Sequence, residues 1–499
     1  MRPEPVLRME HVTKRFGALT ANEDVTLELR RGELLALLGE NGAGKTTLMN
    51  ILFGHYTADE GRVTAFGELL PPGRPRAAIA AGIGMVHQHF ALAPNLTVLE
   101  NVMVGTQSLS APRSRTRPAR EKLLSLAERF GLRVDPDARV GDLSVGEQQR
   151  VEILKSLTRD ARILVLDEPT AVLTRQEADG LFATLKLMAA EGLSLIFISH
   201  KLNEVMAAAD RVVVLRGGRV VAERASAGTS ADELAELMVG RRVERPVRAR
   251  KAPGPVVLEL EGVGLGRRLA DLSFAVRGGE TLGIVGVSGN GQGALCDLLC
   301  GLERPTAGCL SIAGAPVPAG PRAFVEAGVA RIPEDRNAQG AIGEMALWEN
   351  AVLERVREPR FSRLGFVRRK AARAFTAGLM QRFDMRGGTP DTRTRLLSGG
   401  NMQKLILGRN LAGSPRLLIA AQPTRGLDEG AIAAVHAEIL AARQAGAAVV
   451  LISEDLDEVL RLSDEVRAIV KGRLSPAIPV EEADARRLGL MMAGVTHAS

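Results

Sequence analysis

The sequence predicts an α/β fold present twice, with a mainly parallel sheet in each half, on three observations. First, the chain repeats itself. Leu143–Glu147 (LSVGE) and Leu397–Asn401 (LSGGN) stand 254 residues apart, and the same register carries Asp167 onto Ala421, Pro169-Thr170 onto Pro423-Thr424 and His200 onto Glu454. Second, two glycine-rich stretches, Gly39–Thr47 (GENGAGKTT) and Gly286–Ala294 (GVSGNGQGA), each follow a strand-like apolar run and precede a helix-like one. Third, the longest apolar runs, near Leu193–Ile198 and Ala447–Ile452, have the length of strands. Strands alternating with helices in this way imply parallel pairing.

A chain of 499 residues exceeds one ordinary core, and the repeat divides it into a first domain over residues 1–244, a linker over 245–255 and a second domain over 256–499. With 45% hydrophobic and 25% charged residues the composition is that of a globular protein, which excludes a disordered or low-complexity chain. No apolar run approaches the ~20 residues that cross a bilayer. The N-terminal MRPEPVLRMEHVTKRFG has no apolar segment ahead of its first charges, so a secretory signal is not expected and the compartment is expected to be cytoplasmic.

The net charge of +7 fits a nucleic acid, an anionic membrane surface or an ordinary solvated basic surface. The densest basic stretch, Arg241–Pro255, interleaves arginine with proline and has no aromatic to stack on a base, so it reads as a linker. Three cysteines, Cys296, Cys300 and Cys309, have no nearby histidine to complete a zinc set and are expected to be buried, reduced thiols. His87 and His89 lack acidic or thiol companions and are assigned no metal role.

The first glycine-rich stretch matches G-x-x-x-x-G-K-[ST] in full. Its glycines let backbone N–H groups curl around phosphate oxygens at a helix N-terminus, where partial positive charge favours an anion. Gly39, Asn41, Gly42, Gly44, Lys45, Thr46 and Thr47 are therefore candidate nucleotide contacts, with Lys45 reaching the β- and γ-phosphates. Thr46 offers a hydroxyl to Mg²⁺, and Asp167, ending the strand ILVLD, offers a carboxylate. Glu168 is the candidate general base. An Asp-Glu pair after a strand is by itself an ordinary solvent-facing strand end; beside the Lys45 loop it points to catalysis. His200, after LSLIFIS, suits a polar group aimed at the γ-phosphate or the attacking water, against the plainer reading of a surface histidine.

These ordered motifs resemble the ATP-binding-cassette ATPases, and the resemblance covers essentially the whole chain. It implies two tandem P-loop NTPase domains, each with a mainly parallel sheet core, an antiparallel β subdomain and a helical subdomain bearing the signature motif. It also implies ATP and Mg²⁺ as cofactors, assigns Gln88 of GMVHQHF to the loop that senses Mg²⁺ and contacts the membrane partner, and assigns Phe16 to stacking on adenine.

The second set of positions is dismantled. Gln292 and Gly293 replace the lysine and the hydroxyl residue, Ala421 the metal carboxylate, Gln422 the base, Glu454 the histidine and Glu334 the glutamine. In the family each ATP lies between the phosphate loop of one domain and the signature of the other. Domain 2 keeps an intact signature, Ser398, Gly399 and Gly400, and also Asp428. Domain 1 carries Val145 and Glu147 in its signature and Thr174 in place of that aspartate. A carboxylate ~5 Å from a phosphate charge costs about 3 kcal/mol at an effective dielectric of ~20, a cost that Asn401 avoids. The losses thus sort by composite site, which implies an intramolecular ATP sandwich with one hydrolytic site.

Within the family, a tandem chain with these second-half substitutions looks like the importers of simple sugars and nucleosides. That implies two membrane permease subunits, an extracytoplasmic substrate-binding protein, and a peripheral position on the cytoplasmic face of the cell membrane. The runs MVHQHFALAPNLTVLENV and AAQPTRGLD look more like nucleoside-type members, since sugar-type members usually keep an Asp-Glu pair before the second PTRG. The other reading is a soluble tandem cassette acting on ribosomes or nucleic acid. Its relatives resemble pairs with two intact sites and a long charged linker, or carry zinc cysteines, and no nucleic acid partner is expected here.

Overall fold

The computed structural model describes residues 5–17, 19–87, 90–106, 116–170, 173, 175–199, 201–240, 246–249, 251–287, 289–318 and 320–492. The chain divides into two compact units, Met1–Val243 with Asp428–Gly430, and Glu244–Leu427 with Ala431–Ser499.

In unit 1 the central sheet has six strands in the spatial order Arg219–Ala225, Arg211–Arg216, Leu34–Leu38, Ser194–Ile198, Ile163–Asp167 and Ile83–Val86. All neighbours are parallel except the outer Arg211–Arg216 and Arg219–Ala225 pair. These strands are continuous apolar runs because both faces are covered. Along Leu34–Leu38, Leu34, Ala36 and Leu38 enter a core with Leu154, Phe182 and Phe197, whereas Leu35 and Leu37 enter the opposite one with Leu48 and Met49. A one-residue slip would exchange the two sets, so burial itself pins the register.

An antiparallel sheet formed by Leu19–Arg30, Pro5–Phe16, Glu60–Ala65 and Glu68–Leu69 lies in the same unit. The helices Val98–Met103, Thr116–Arg129 and Val145–Leu157 form its helical part. Thr97 starts the first with a reciprocal cap, its hydroxyl accepting from Glu100 N at 3.2 Å while its own N–H donates to the Glu100 carboxylate at 2.8 Å.

Unit 2 repeats the plan. Its main sheet runs Val329–Ile332, Leu417–Ala421, Ala448–Ile452, Thr281–Val285, Glu465–Val470 and Arg473–Leu474, with Ile478–Pro479 also paired to Glu465–Val470. The first five strands are mutually parallel. An antiparallel sheet holds Leu269–Arg277, Val256–Leu265, Ala307–Ile312 and Ala315–Pro316, and the helices Leu347–Val352, Arg369–Arg382 and Gly399–Leu411 form the helical part. The mainly parallel sheet core, the antiparallel sheet and the helical part expected in each half are present in both units.

One detail departs from expectation and another adds to it. The described part of the basic stretch, expected to be a linker, is fastened to unit 2. Arg248 pairs with Asp464 at 2.5 Å and Glu481 at 2.9 Å, Arg443 donates to the Ala249 carbonyl at 2.8 Å, and Lys251 donates to the Gln444 carbonyl at 2.6 Å. The thiols are free, but only Cys300 is buried. Cys296 is half-buried and Cys309 is exposed, because Cys309 lies in the exposed first half of the strand Ala307–Ile312.

Candidate active site

The strand Leu34–Leu38 delivers the chain into Gly39, and the helix Lys45–Phe53 receives it after Gly44. Gly44 is left-handed at φ +97°, and a β-carbon there would stand 2.3 Å from the Ala21 carbonyl oxygen, so only glycine closes this turn. Asn22 braces it from below, donating to the Gly44 carbonyl at 3.2 Å. Asn41, Gly42 and Thr46 are exposed along the loop and Thr47 is half-buried.

Lys45 is buried, and its ammonium donates to the carbonyls of Gly39 at 2.7 Å and Glu40 at 2.9 Å. Burial lowers its pKa, against the opposing charges of Glu168 and Asp167. The cation is thus folded onto its own loop, ready to exchange two carbonyls for phosphate oxygens.

Asp167 ends the parallel strand beside Ser194–Ile198, on the sheet edge where strand C-termini meet their loops. Its carboxyl is pushed up to about 6 by burial and by the charge of Glu168, with Lys45 and a hydrogen bond from the Thr46 side chain acting in the other direction. A buried carboxylate already joined to a hydroxyl is a pair of hard oxygen donors, which suits Mg²⁺. The site residues therefore fit that ion.

Glu168 has φ +47°, unusual for a side chain with a β-carbon, and its N–H donates to the Ile198 carbonyl at 3.0 Å. Gln422 occupies the matching position with the same φ and the same bond, to Ile452 at 2.7 Å. The second unit keeps the strained backbone while lacking the carboxylate. Strain of this kind persists only where the surroundings impose it.

Two supports were missed by the sequence reading. Glu204 accepts from Thr170 Oγ1 at 2.7 Å and from Ser199 Oγ at 3.1 Å, tying the loop after Glu168 to the end of the neighbouring strand. Glu458 does the same for Thr424 at 2.8 Å and Ser453 at 2.6 Å. Gln149 and Gln403, each in the helix that follows its signature serine, donate to the Pro169 and Pro423 carbonyls. Both pairs obey the 254-residue register, so the repeat held the signal that could have found them. Tyr56, the chain's one tyrosine, packs edge-on against the half-exposed Phe16 with ring centroids 5.4 Å apart.

The lost positions of unit 2 are filled by local contacts. The Gln292 amide donates to the Val287 carbonyl at 2.8 Å, closing the loop on itself, and its Oε1 is buried without a hydrogen bond. Glu334 is paired with Arg425 at 2.5 Å, and Ala421 is buried with no polar atom to offer a metal.

The two signatures differ in their hydroxyl chemistry. In unit 1 Ser144 Oγ donates to the Glu147 carboxylate at 2.7 Å, and that bond, with one from the Ser144 N–H, holds the Glu147 carboxyl below its usual range. In unit 2 Ser398 Oγ accepts from the Asn401 amide at 3.0 Å and its N–H at 3.4 Å, leaving its own proton to donate, and Asn401 is itself oriented by Arg386 N–H at 3.0 Å. Val145 places a side chain where the helix of unit 2 begins with Gly399.

Unit 1 therefore brings together Lys45, Thr46, Asp167 and Glu168. Ser398, Gly399 and Gly400 open the helix of unit 2, and Asp428 directly precedes the helix Glu429–Gln444. Gln88, His200 and Thr174 lie outside the described residues. Among the described residues no cluster of histidine, cysteine or carboxylates forms a separate metal site, and no helix is long and apolar enough to cross a membrane.

Residues 22–171 and 269–425 match the ABC transporter family. The chain is 44% identical to the glucose import ATP-binding protein TsgD13 of Haloferax volcanii, covering 99% of this chain and 96% of the relative. It is 42% identical to the nucleoside import ATP-binding protein NupA of Lactococcus lactis subsp. cremoris, covering 99% of each. An archaeal ribosome recycling factor, aABCE1, solved with the stalk protein aP1, superposes with a TM-score of 0.63 over 97% of this chain and 92% of its own at 18% identity, a likeness of fold alone. Two matched segments in the two units, and full-length relatives above 40% identity, decide the matter: the chain belongs to the ABC transporter family, as a tandem-cassette ATPase homologous to the ATP-binding subunits of sugar and nucleoside importers.

Proposed function

We propose that this ATPase energises import of a nucleoside through separate permease subunits, from the cytoplasmic face of the membrane, and that one composite site performs the hydrolysis. The observation that carries the one-site reading is the opposite state of the two signature serines. Ser398 has a proton to donate to a phosphate, whereas Ser144 gives its proton to Glu147. The signature able to receive a phosphate is in the unit whose own phosphate loop is disabled, so the intact halves complement one another in a head-to-tail sandwich.

In this reading the Lys45 ammonium leaves the Gly39 and Glu40 carbonyls for the β- and γ-phosphates, and the N–H groups at the start of Lys45–Phe53 take the remaining oxygens. Thr46 and Asp167 would hold Mg²⁺, which when bound neutralises phosphate charge. Glu168 orients a water and takes its proton as the water oxygen bonds to the γ-phosphorus, while the bond to the β,γ-bridging oxygen breaks and ADP leaves with that electron pair. Phe16, backed by Tyr56, stacks on adenine, and Gln88 and His200 complete the γ-phosphate surroundings.

A nucleoside cargo is supported by Ala421-Gln422 ahead of the second PTRG and by the run Met85–Val102. Glucose and nucleoside relatives are similarly close, so sugar is the competing cargo. The test is uptake of radiolabelled adenosine, guanosine, uridine, ribose and galactose by cells with and without the chain. Loss of nucleoside uptake alone supports the reading; loss of sugar uptake alone rejects the cargo.

A further inference from the structure

We infer that Arg336 is a positioning residue for hydrolysis, a guanidinium clamp that holds the signature of unit 2 and the loop leading to Asp428 in one arrangement. The inference rests on the one-site reading above, in which that signature serves the hydrolysed ATP.

Arg336 opens the five-residue π-helical turn Arg336–Gly340 that follows Pro333-Glu334-Asp335. The turn is fixed by Asp335, whose carboxylate accepts from the N–H groups of Asn337 and Ala338, each at 2.9 Å. From this rigid base Arg336 Nη1 donates to the Arg425 carbonyl at 3.0 Å. Its Nη2 lies against two glycines at once, since a β-carbon built on either Gly399 or Gly426 would stand 3.2 Å away. One planar group therefore touches the first residue of the signature helix and the backbone two residues ahead of Asp428. Arg425 is drawn to the same place by its ion pair with Glu334.

Comparison of the units shows what the clamp accompanies. Phe90 holds the place of Arg336 in unit 1, just as Val145 holds the place of Gly399. At this pair of positions the guanidinium thus accompanies the signature whose serine keeps its proton. A guanidinium can lie flat along two backbone segments with its donors in a fixed fork, which a lysine ammonium cannot. The turn that carries it corresponds to the loop assigned in unit 1 to contact with the membrane partner. A shift of that turn would displace Ser398-Gly399 and the Asp428 loop together, and displacements of ~1 Å at a reacting centre cost large factors in rate.

The experiment compares the purified full chain with Arg336→Ala, Arg336→Lys and Ser398→Ala, measuring phosphate release with Mg²⁺-ATP and equilibrium binding of a fluorescent ATP analogue without hydrolysis. The clamp predicts that Arg336→Ala lowers kcat about tenfold with analogue affinity within about twofold of the parent, because the phosphate loop of unit 1 is untouched. Arg336→Lys keeps the charge and is expected to stay nearer Arg336→Ala than the parent. If Arg336→Ala is poorly folded, the lysine variant carries the test. Parental kcat in a folded Arg336 variant, or a fall in affinity matching the fall in kcat, overturns the clamp. Parental turnover in Ser398→Ala overturns the one-site reading, and the clamp with it; a slow Ser398→Ala beside a parental Arg336→Ala rejects the clamp alone.

Discussion

The hydroxyl of Ser144 donates to the carboxylate of Glu147 at 2.7 Å, whereas the hydroxyl of Ser398, its counterpart, accepts from the amide of Asn401 at 3.0 Å. A single residue type three positions along the helix reverses the serine's role. Asn401→Glu should rebuild the self-capped state in unit 2, withdrawing the Ser398 proton and placing a negative charge at the helix N-terminus where phosphate binds. Turnover is expected to fall at least about tenfold, since one charge-assisted hydrogen bond is worth ~1.5–3 kcal/mol. Glu147→Gln should change turnover less than about twofold. Phosphate release by the two variants checks this; equal effects would contradict the asymmetry.

Glu168 and Gln422 share a left-handed backbone and the same bond to the neighbouring strand, so the exchange of their side chains tests chemistry at constant geometry. Glu168→Gln is expected to lower kcat by roughly 10²–10⁴ while retaining ATP, as loss of a general base does. Gln422→Glu should leave turnover unchanged, because Ala421 and Gln292 supply neither metal carboxylate nor phosphate cation. Rate and retained nucleotide are read together after rapid filtration.

The Glu204 carboxylate binds Thr170 on one side and Ser199 on the other, joining the loop after Glu168 to the residue before His200. Glu204→Gln keeps the size and removes the charge that makes these bonds strong. We expect kcat to fall about tenfold with KM for ATP nearly unchanged, the pattern of a lost positioning contact. Proportional loss in both parameters would place Glu204 in binding instead.

The grouping of Lys45, Thr46, Asp167 and Glu168 was legible because it depends on spacing along one loop and one strand end, and spacing is what a sequence displays. The parallel sheets were legible for a related reason: strands covered on both faces must be apolar throughout, as Leu34–Leu38 is. Glu204 and Gln149 were not read, although each repeats at 254 residues. Their partners, Thr170, Ser199 and the Pro169 carbonyl, come near only after the strands align side by side, and a glutamate on an amphipathic helix looks solvated until then. Cys309 was misread because cysteine is usually buried, while its strand begins on an open edge.

Asp167 makes the ion-free protein's stability depend on pH in an identifiable window. Its carboxyl titrates near 6 in the folded chain, chiefly through burial, against an ordinary value of 3.8. Between these values the folded state holds a proton that the unfolded state has released, so stability falls as pH rises through the window and the penalty is complete above about 6. That difference corresponds to ~3 kcal/mol at most. Asp167→Asn is neutral throughout, so in EDTA it should match the parent near pH 4 and exceed it in stability at pH 7.5, while losing Mg²⁺-dependent turnover. Urea unfolding across that range checks the sign. A less stable Asp167→Asn at pH 7.5 would show that the attraction of Lys45 for the carboxylate outweighs its burial.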